Sequence, residues 1–395
     1  MSDTPIYLDY AATTPLDPTV LAAMTPYLTA IFGNASSQHG FGASAARAVD
    51  AARDTVAEFF GCRAQEVIFT SGATESNNLA LRGSVAAARR RGATPHVITS
   101  AIEHPSVLET VVDLEKTSQA TVTIVPVDQQ GIISVDEVVN AIRPETVLVS
   151  IMYANNEIGT IQPIREIGKR LEKINVERTV NNFPAVVFHT DAVQAIHYLP
   201  ADVKHLHVDL LSFSAHKIHG PKGVGGLIVR RQTPLIGIQT GGEHEYGLRA
   251  GSLNVAGIVG CGAAVSLITG RQAEYAAAVS SQRGHLWQLF VERLPDLELN
   301  GHPTDRLPNN LNIFVPGVES ESLCLALDRA GVAVSVGSAC AAGAVEPSHV
   351  IAALGDTSRS RYSFRITLSR LTTTDEITRA TDIITTAIER LRQLS

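Results

Sequence analysis

Residues 186–223 read VVFHTDAVQAIHYLPADVKHLHVDLLSFSAHKIHGPKG and hold two groups of complementary chemistry, Asp191 and Lys217. Asp191 follows the apolar run Val186-Val187-Phe188, and Lys217 follows the apolar run at 208–213. Each run has the length and composition of a strand. The stretch between them is too long for a hairpin turn and suits a parallel crossover. Parallel neighbours would bring both residues to the carboxyl edge of a sheet, where open α/β folds bind ligands. A lysine and an acid meeting there is the pairing that pyridoxal 5′-phosphate requires. The lysine forms a Schiff base, and the carboxylate keeps the pyridinium nitrogen protonated so that the ring draws electrons. The rival readings are a surface lysine and a helix-capping aspartate. Ser214 and His216 beside Lys217, with His219-Gly220-Pro221-Lys222-Gly223 as turn chemistry, argue for a built loop.

A second segment fits the same cofactor. Glu66-Val67-Ile68-Phe69-Thr70 reads as a strand, and Ser71-Gly72-Ala73-Thr74-Glu75 leads from it into a helical pattern. A strand, a glycine turn and a helix start together present free backbone N–H groups to an anion, and Thr74 adds a hydroxyl. Plain helix capping is the alternative. With Lys217 in the chain, the segment reads as a phosphate site. Ser214 and His216 offer an O–H and an N–H to the same phosphate. Gln194 lies three residues past Asp191, near the helical spacing that shares a face, and can donate to the ring's phenolate oxygen.

Cys340 sits in Gly337-Ser338-Ala339-Cys340-Ala341-Ala342-Gly343-Ala344, where nearly every residue is small. Such a segment buries little and costs much to order, which predicts a mobile loop with an accessible thiol. Cys62, Cys261 and Cys324 stand in apolar surroundings suited to structural cysteines. Arg365 lies in the strand-like run Phe364-Arg365-Ile366-Thr367-Leu368, where a charge is unexpected unless it meets an anion. Its guanidinium matches a substrate carboxylate bidentately, with a structural ion pair as the rival reading for it and for Arg370.

SFSAHKIHGPKG and HTDAVQA resemble the cofactor segments of the cysteine desulfurases, the NifS/IscS-like enzymes of the class V aminotransferase group. The likeness runs from YLDYAATTPLDP near the N-terminus to the last helix. It implies a homodimeric enzyme of the PLP-dependent transferase fold type I. Such an enzyme takes sulfur from L-cysteine, leaves L-alanine and passes a persulfide to a protein acceptor. The acceptor's identity is open, and iron–sulfur cluster assembly, thiolated tRNA and sulfur-modified DNA all remain possible destinations.

The resemblance also implies residue roles. It places the phosphate on Ala73 and Thr74, and a ring-stacking, proton-relaying histidine at His104. Asn156 meets the ring hydroxyl, Asn34 lies beside the substrate, and Ser252 crosses the dimer interface to the partner's phosphate. Arg365 holds the substrate and Cys340 is the sulfur-accepting nucleophile. The chain departs from the family pattern in three places. It has Ser338-Ala339-Cys340-Ala341-Ala342 where the family commonly reads SACTS, serine for threonine at Ser252, and a longer connection at 176–184, which reads as a surface insertion without chemistry. Selenocysteine lyase and class V aminotransferase are the alternative activities. From another class, the protein could act mainly as a scaffold.

The elements that must position these residues follow from pattern and composition. Strands are expected at 66–70, 97–100, 121–127, 146–152 and 186–188, and one long helical segment from 255 to 294. With the resemblance, this predicts an α/β chain with a large domain at 16–262, built on a mixed, mostly parallel sheet flanked by helices. Residues 1–15 and 263–395 form a smaller α+β domain carrying the Cys340 loop. At 395 residues and 45% hydrophobic content, two or three domains with a large core are expected. The net charge of −7, with scattered positive residues, leaves no electrostatic footprint for nucleic acid. No apolar stretch reaches the ~20 residues that span a bilayer, and no signal peptide opens the chain. The four cysteines show no metal-ligand spacing. A reduced, cytoplasmic protein without a metal is expected.

Overall fold

The computed structural model describes residues 4–92, 94–337 and 347–394. Cys340 and the loop expected around it lie outside the described residues. The strands are β1 Ile6–Tyr7, β2 Val67–Thr70, β3 His96–Ser100, β4 Thr121–Val125, β5 Thr146–Ser150, β6 Val187–Asp191, β7 Leu210–Ser214, β8 Gly225–Val229, β9 Glu298–Asn300, β10 Asn310–Phe314, β11 Val332–Ala333 and β12 Ser363–Thr367.

Seven of them form one sheet in the order β2-β8-β7-β6-β5-β3-β4. β8 runs against both of its neighbours, and the remaining pairs are parallel. This is the mixed, mostly parallel sheet expected from the sequence. Every residue of β2, β3, β5, β6 and β7 is buried, because helices cover both faces. Helices Ala73–Arg89 and Pro105–Lys116 supply Leu79, Leu81, Val107 and Val111 to one face. Helices Gly40–Phe59 and Val255–Ile268 close the other. They pack tightly because glycine lets them: a Cβ on Gly262 would lie 2.9 Å from the Ala52 Cβ, and on the same helix one on Gly260 would lie 2.5 Å from the sulfur of Met24 in helix Pro18–Leu28.

The expected single helix from 255 to 294 is instead two, Val255–Ile268 and Gln272–Arg293, set 73° apart. Gly270, at φ 72°, takes the left-handed turn that ends the first helix. An apolar periodicity that continues across the break hid it. Among the described residues no single helix is long and apolar enough to cross a membrane.

The 176–184 segment is part helix, since Ile164–Val180 runs through most of it. Arg178 pins it by donating to the carbonyls of Arg143, Pro144, Thr146 and Pro184 at 2.8–2.9 Å. The segment is thereby fastened at the amino ends of β5 and β6, away from the edge that carries Asp191.

Toward the C-terminus, β9, β10 and β12 form an antiparallel sheet in the order β12-β10-β9. β1 pairs in parallel with β11. The last helix, Thr374–Arg392, starts with a capping box between Thr373 and Glu376 and buries Ile377, Ile384 and Ile388.

Candidate active site

β6 and β7 are parallel neighbours, with Asp191 opposite Ser212. β7 ends at Ser214 and turns at once into the short 3-10 segment Ala215–Lys217. The crossover inferred from spacing therefore puts Asp191 and Lys217 on one sheet edge. Ten of the expected residues, Ala73, Thr74, His104, Asn156, Asp191, Gln194, Ser214, His216, Lys217 and Arg365, line a single cavity of about 560 Å³. That volume falls in the range of small-molecule sites. Asn34 and Ser252 do not line it and are exposed. The Asn34 side chain instead accepts from the Ser36 N–H at 2.9 Å, capping its own turn.

Asp191 is buried, and both of its oxygens are matched. Asn77 Nδ2 donates to one at 2.7 Å and the Val193 N–H to the other at 3.0 Å. Asn77 also donates to Ser106 Oγ at 2.8 Å, and that hydroxyl is 2.8 Å from His104 Nδ1. The Ser106 N–H donates to His104 Nδ1 as well, so this nitrogen is the acceptor and Nε2 carries the ring proton. Burial holds His104 below the ordinary histidine range, with Asp191 opposing and Lys217 reinforcing the shift. His104 is a neutral imidazole at neutral pH. Asn77 was not singled out in the sequence. Its signal is position: one helical turn past Ala73, it faces the sheet rather than solvent.

The anion cradle is built from close approaches. Gly72 adopts φ 149°, and helix Ala73–Arg89 begins there without a side-chain cap, leaving its first N–H groups available. Gly225 in β8 makes room, since a Cβ there would lie 2.5 Å from the Phe213 carbonyl oxygen and 2.9 Å from Gly72 Cα. Glu75 accepts from the Ser71 N–H at 2.7 Å and from Arg249 Nε at 2.8 Å, which ties the loop before Ser252 to the cradle.

Lys217 is strapped by the N-terminal segment. Its Nζ donates to the carbonyls of Ala11 and Ala12, and Gln194 Nε2 also donates to Ala11 O at 3.0 Å. Thr14 Oγ1 donates to the His216 carbonyl at 2.8 Å and accepts from the His219 N–H at 2.8 Å. The lysine turn and residues 11–14 are thus one interlocked unit.

Arg365 projects from β12 and is 2% exposed. Nη2 donates to Asp9 Oδ1 at 2.7 Å and Nη1 to the Asn156 carbonyl at 2.8 Å. Its buried Nε–H has no partner among the described residues. Arg370 pairs with Asp17 at 2.5 Å and is not part of the cavity lining. The turn that carries Asn156 is gripped further along. Asn310 and Asn312 donate to Glu157 O, Arg306 to Ile158 O, and the Leu307 N–H to Gly159 O. Cys62, Cys261 and Cys324 all have thiols pushed up to about 12, chiefly by burial. None of these three is poised as a thiolate at neutral pH.

A sheet edge that gathers a lysine, a matched buried acid and an open helix start into one cavity is the ligand-binding edge of an open α/β enzyme, with an anion cradle beside the lysine. The model of the class-V aminotransferase family matches residues 6–379. The chain is 43% identical over 391 residues to a cysteine desulfurase IscS of Dictyoglomus turgidum, spanning 99% of this chain and 96% of that one. A solved NifS-like protein superposes with a TM-score of 0.89 at 34% identity, covering 98% of this chain and 100% of that one. A structure of SspA in complex with cysteine gives a TM-score of 0.78 at 34% identity, covering 93% and 100%. The chain belongs to the class-V aminotransferase family and, within it, to the cysteine desulfurases. That family is PLP-dependent, and the residues present fit the group: a buried acid, a lysine and a glycine-lined helix start share one cavity.

Proposed function

We propose that this protein is a cysteine desulfurase: it removes the sulfur of L-cysteine, releases L-alanine and leaves a persulfide on Cys340. The observation that carries the reading is the convergence of Asp191, Lys217 and Arg365 in one cavity. Pyridoxal phosphate bound through Lys217 supplies an electron sink for the substrate's α-carbon. Asp191, fixed in place by Asn77 and Val193, would hold a proton on the pyridine nitrogen. Ala73 and Thr74 with Ser214 and His216 receive the phosphate, and Ser252 completes that site from the partner subunit of a homodimer. Gln194 and Asn156 orient the ring's oxygen, and neutral His104 is the ring's neighbour and proton relay.

Arg365 takes the substrate carboxylate, with Asn34 beside it. Lys217 Nζ moves the α-proton. The Cys340 thiolate attacks the substrate sulfur, a new S–S bond forms, the C–S bond breaks, and the carbon takes up a proton to give alanine. Cys340 lies outside the described residues. Its assignment is supported by its sequence setting and by the raised thiols of Cys62, Cys261 and Cys324. The persulfide passes to a protein acceptor, in a reducing cytoplasmic setting that keeps the thiol free. Residues 16–262 form the cofactor-binding part. Residues 1–15 and 263–395 form the smaller one, a division supported by the pairing of β1 with β11 and of Asp9 with Arg365.

Two variants test this. Lys217→Ala is expected to lose covalently held cofactor and its colour, and retention of both would overturn the lysine's role. Cys340→Ser is expected to bind L-cysteine yet release neither sulfide nor alanine, and normal turnover would move the nucleophile elsewhere.

A further inference from the structure

Behind the lysine turn lies a chamber of about 10 Å³, lined by Tyr10, Gln194, His197, Lys217, Asn309 and Ser369 among others. Lys217 and Gln194 also line the large cavity, so these two side chains are the wall between the two spaces. Two buried acceptor-bearing side chains meet at the chamber. His197 Nε2 and Asn309 Oδ1 each have no hydrogen-bond partner among the described residues. Asn309 uses its Nδ2 on the Leu368 carbonyl at 3.3 Å, which leaves Oδ1 as its free end. The His197 ring also bonds the Lys217 backbone carbonyl. Since Nε2 is the unpartnered nitrogen, Nδ1–H makes that bond and Nε2 presents a lone pair.

An unmatched buried acceptor is destabilising, and two facing one small space call for a shared donor. A water needs a polar chamber of roughly 10–15 Å³ and two to four partners. A small cation would meet unfavourable surroundings: the charge of Arg370 already disfavours protonation of His197 and His219. We propose that a single water molecule is built into the fold here, donating to His197 Nε2 and Asn309 Oδ1. Through it and through the Nδ1–H bond to the Lys217 carbonyl, His197 is a positioning residue for the lysine. The positioning role rests on the reading of Lys217 as the cofactor lysine, whereas the water site does not. His197, pushed down to about 3 by burial, stays a neutral acceptor throughout the working range.

The deciding experiment is a crystal structure of the full chain, with or without bound cofactor, at a resolution that shows ordered waters. One density peak within hydrogen-bond distance of both His197 Nε2 and Asn309 Oδ1 is expected. A chamber without density, or either atom turned onto a protein group, overturns the site. The second arm follows the rate at which cofactor-free protein captures pyridoxal phosphate, read by the appearance of its bound absorbance. His197→Phe is expected to slow capture roughly tenfold, as a slightly displaced reacting group does. His197→Gln, which keeps a donor and an acceptor, is expected to recover most of it. Equal rates in wild type and His197→Phe, or slowing that His197→Gln fails to relieve, overturn the positioning role. Failure of wild-type protein to capture the cofactor at all would sink the cofactor reading instead, with the crystallographic arm still deciding the water.

Discussion

Two buried guanidinium groups hold the turn at 155–160, and they do so in different ways. Arg306 gives its N–H groups to the carbonyls of Ile158, Asn300, His302 and Asn310 and to the Asn310 side chain, at 2.8–3.3 Å. All of these partners are neutral oxygens, and burial without a counter-charge pushes Arg306 down to about 9. Arg365, as deeply buried, has the Asp9 carboxylate and the Asn156 carbonyl but keeps Nε–H unclaimed beside the cavity. A guanidinium whose three nitrogens all donate to the fold is a bolt. One with a charged partner that can be exchanged and a donor left over is suited to an incoming anion.

The comparison predicts opposite failures. Arg306→Met strands several buried carbonyls at once and is expected to cost about 3–5 kcal/mol in urea denaturation, the scale of breaking a buried charged network. Its KM for L-cysteine should stay within about threefold of wild type in the folded fraction. Arg365→Lys keeps the charge but loses the planar fork. It is expected to lower kcat/KM for alanine formation about a hundredfold, the worth of one or two charge-assisted hydrogen bonds. Most of that loss should fall on KM, with a melting temperature near wild type. A stable, cysteine-blind Arg306→Met protein, or an Arg365→Lys protein that binds normally but melts early, would break the distinction between bolt and binding group.

This distinction was only half legible in the sequence. A charge inside the strand pattern at Arg365 pointed to an anion, because a strand interior is a poor place for an unmatched guanidinium. Arg306 gave no such signal, since it sits in a polar loop and its shortest hydrogen bond goes to the carbonyl of Ile158, distant in sequence. The sheet was legible for the same reason that Asp191 and Lys217 were: short apolar runs with long separations leave few topologies besides parallel crossovers. The strap of residues 11–14 over Lys217 was not legible, because it is made of backbone carbonyls, and any sequence supplies those. Nor was the break at Gly270, where apolar periodicity outlasted the helix that it described. Asn34 and Ser252 illustrate a different limit. Their expected roles came from the family resemblance, and within one chain both stand exposed outside the cavity.

A pH-dependent effect sharpens the contrast between matched and unmatched groups at the site itself. Glu103 is fully buried, accepts from Ser100 Oγ at 2.5 Å and from the Met152 N–H at 2.9 Å, and leaves Oε2 without a partner among the described residues. Burial, with help from the Asp191 charge, pushes it up to about 8 from an ordinary 4.5. Asp191 has a donor on each oxygen, whereas Glu103 has one oxygen unmatched and is the neutral acid of the site. The sign of the consequence follows from linkage. A group whose folded pKa is raised contributes stability that is complete below its unfolded pKa and is lost as pH rises through the folded value. Wild-type protein should therefore lose stability between pH 4.5 and 8 at up to about 1.4 kcal/mol per pH unit from this group alone. Glu103→Gln keeps the acceptor for Met152 and cannot ionise. Its melting temperature should gain on wild type steadily across that window and hold a constant lead above it. Parallel melting curves for the two proteins from about pH 5 to 9 would mean that Glu103 is charged in the fold. The donors seen on one oxygen would then suffice to hold a buried carboxylate, and an unmatched oxygen would not mark a neutral acid.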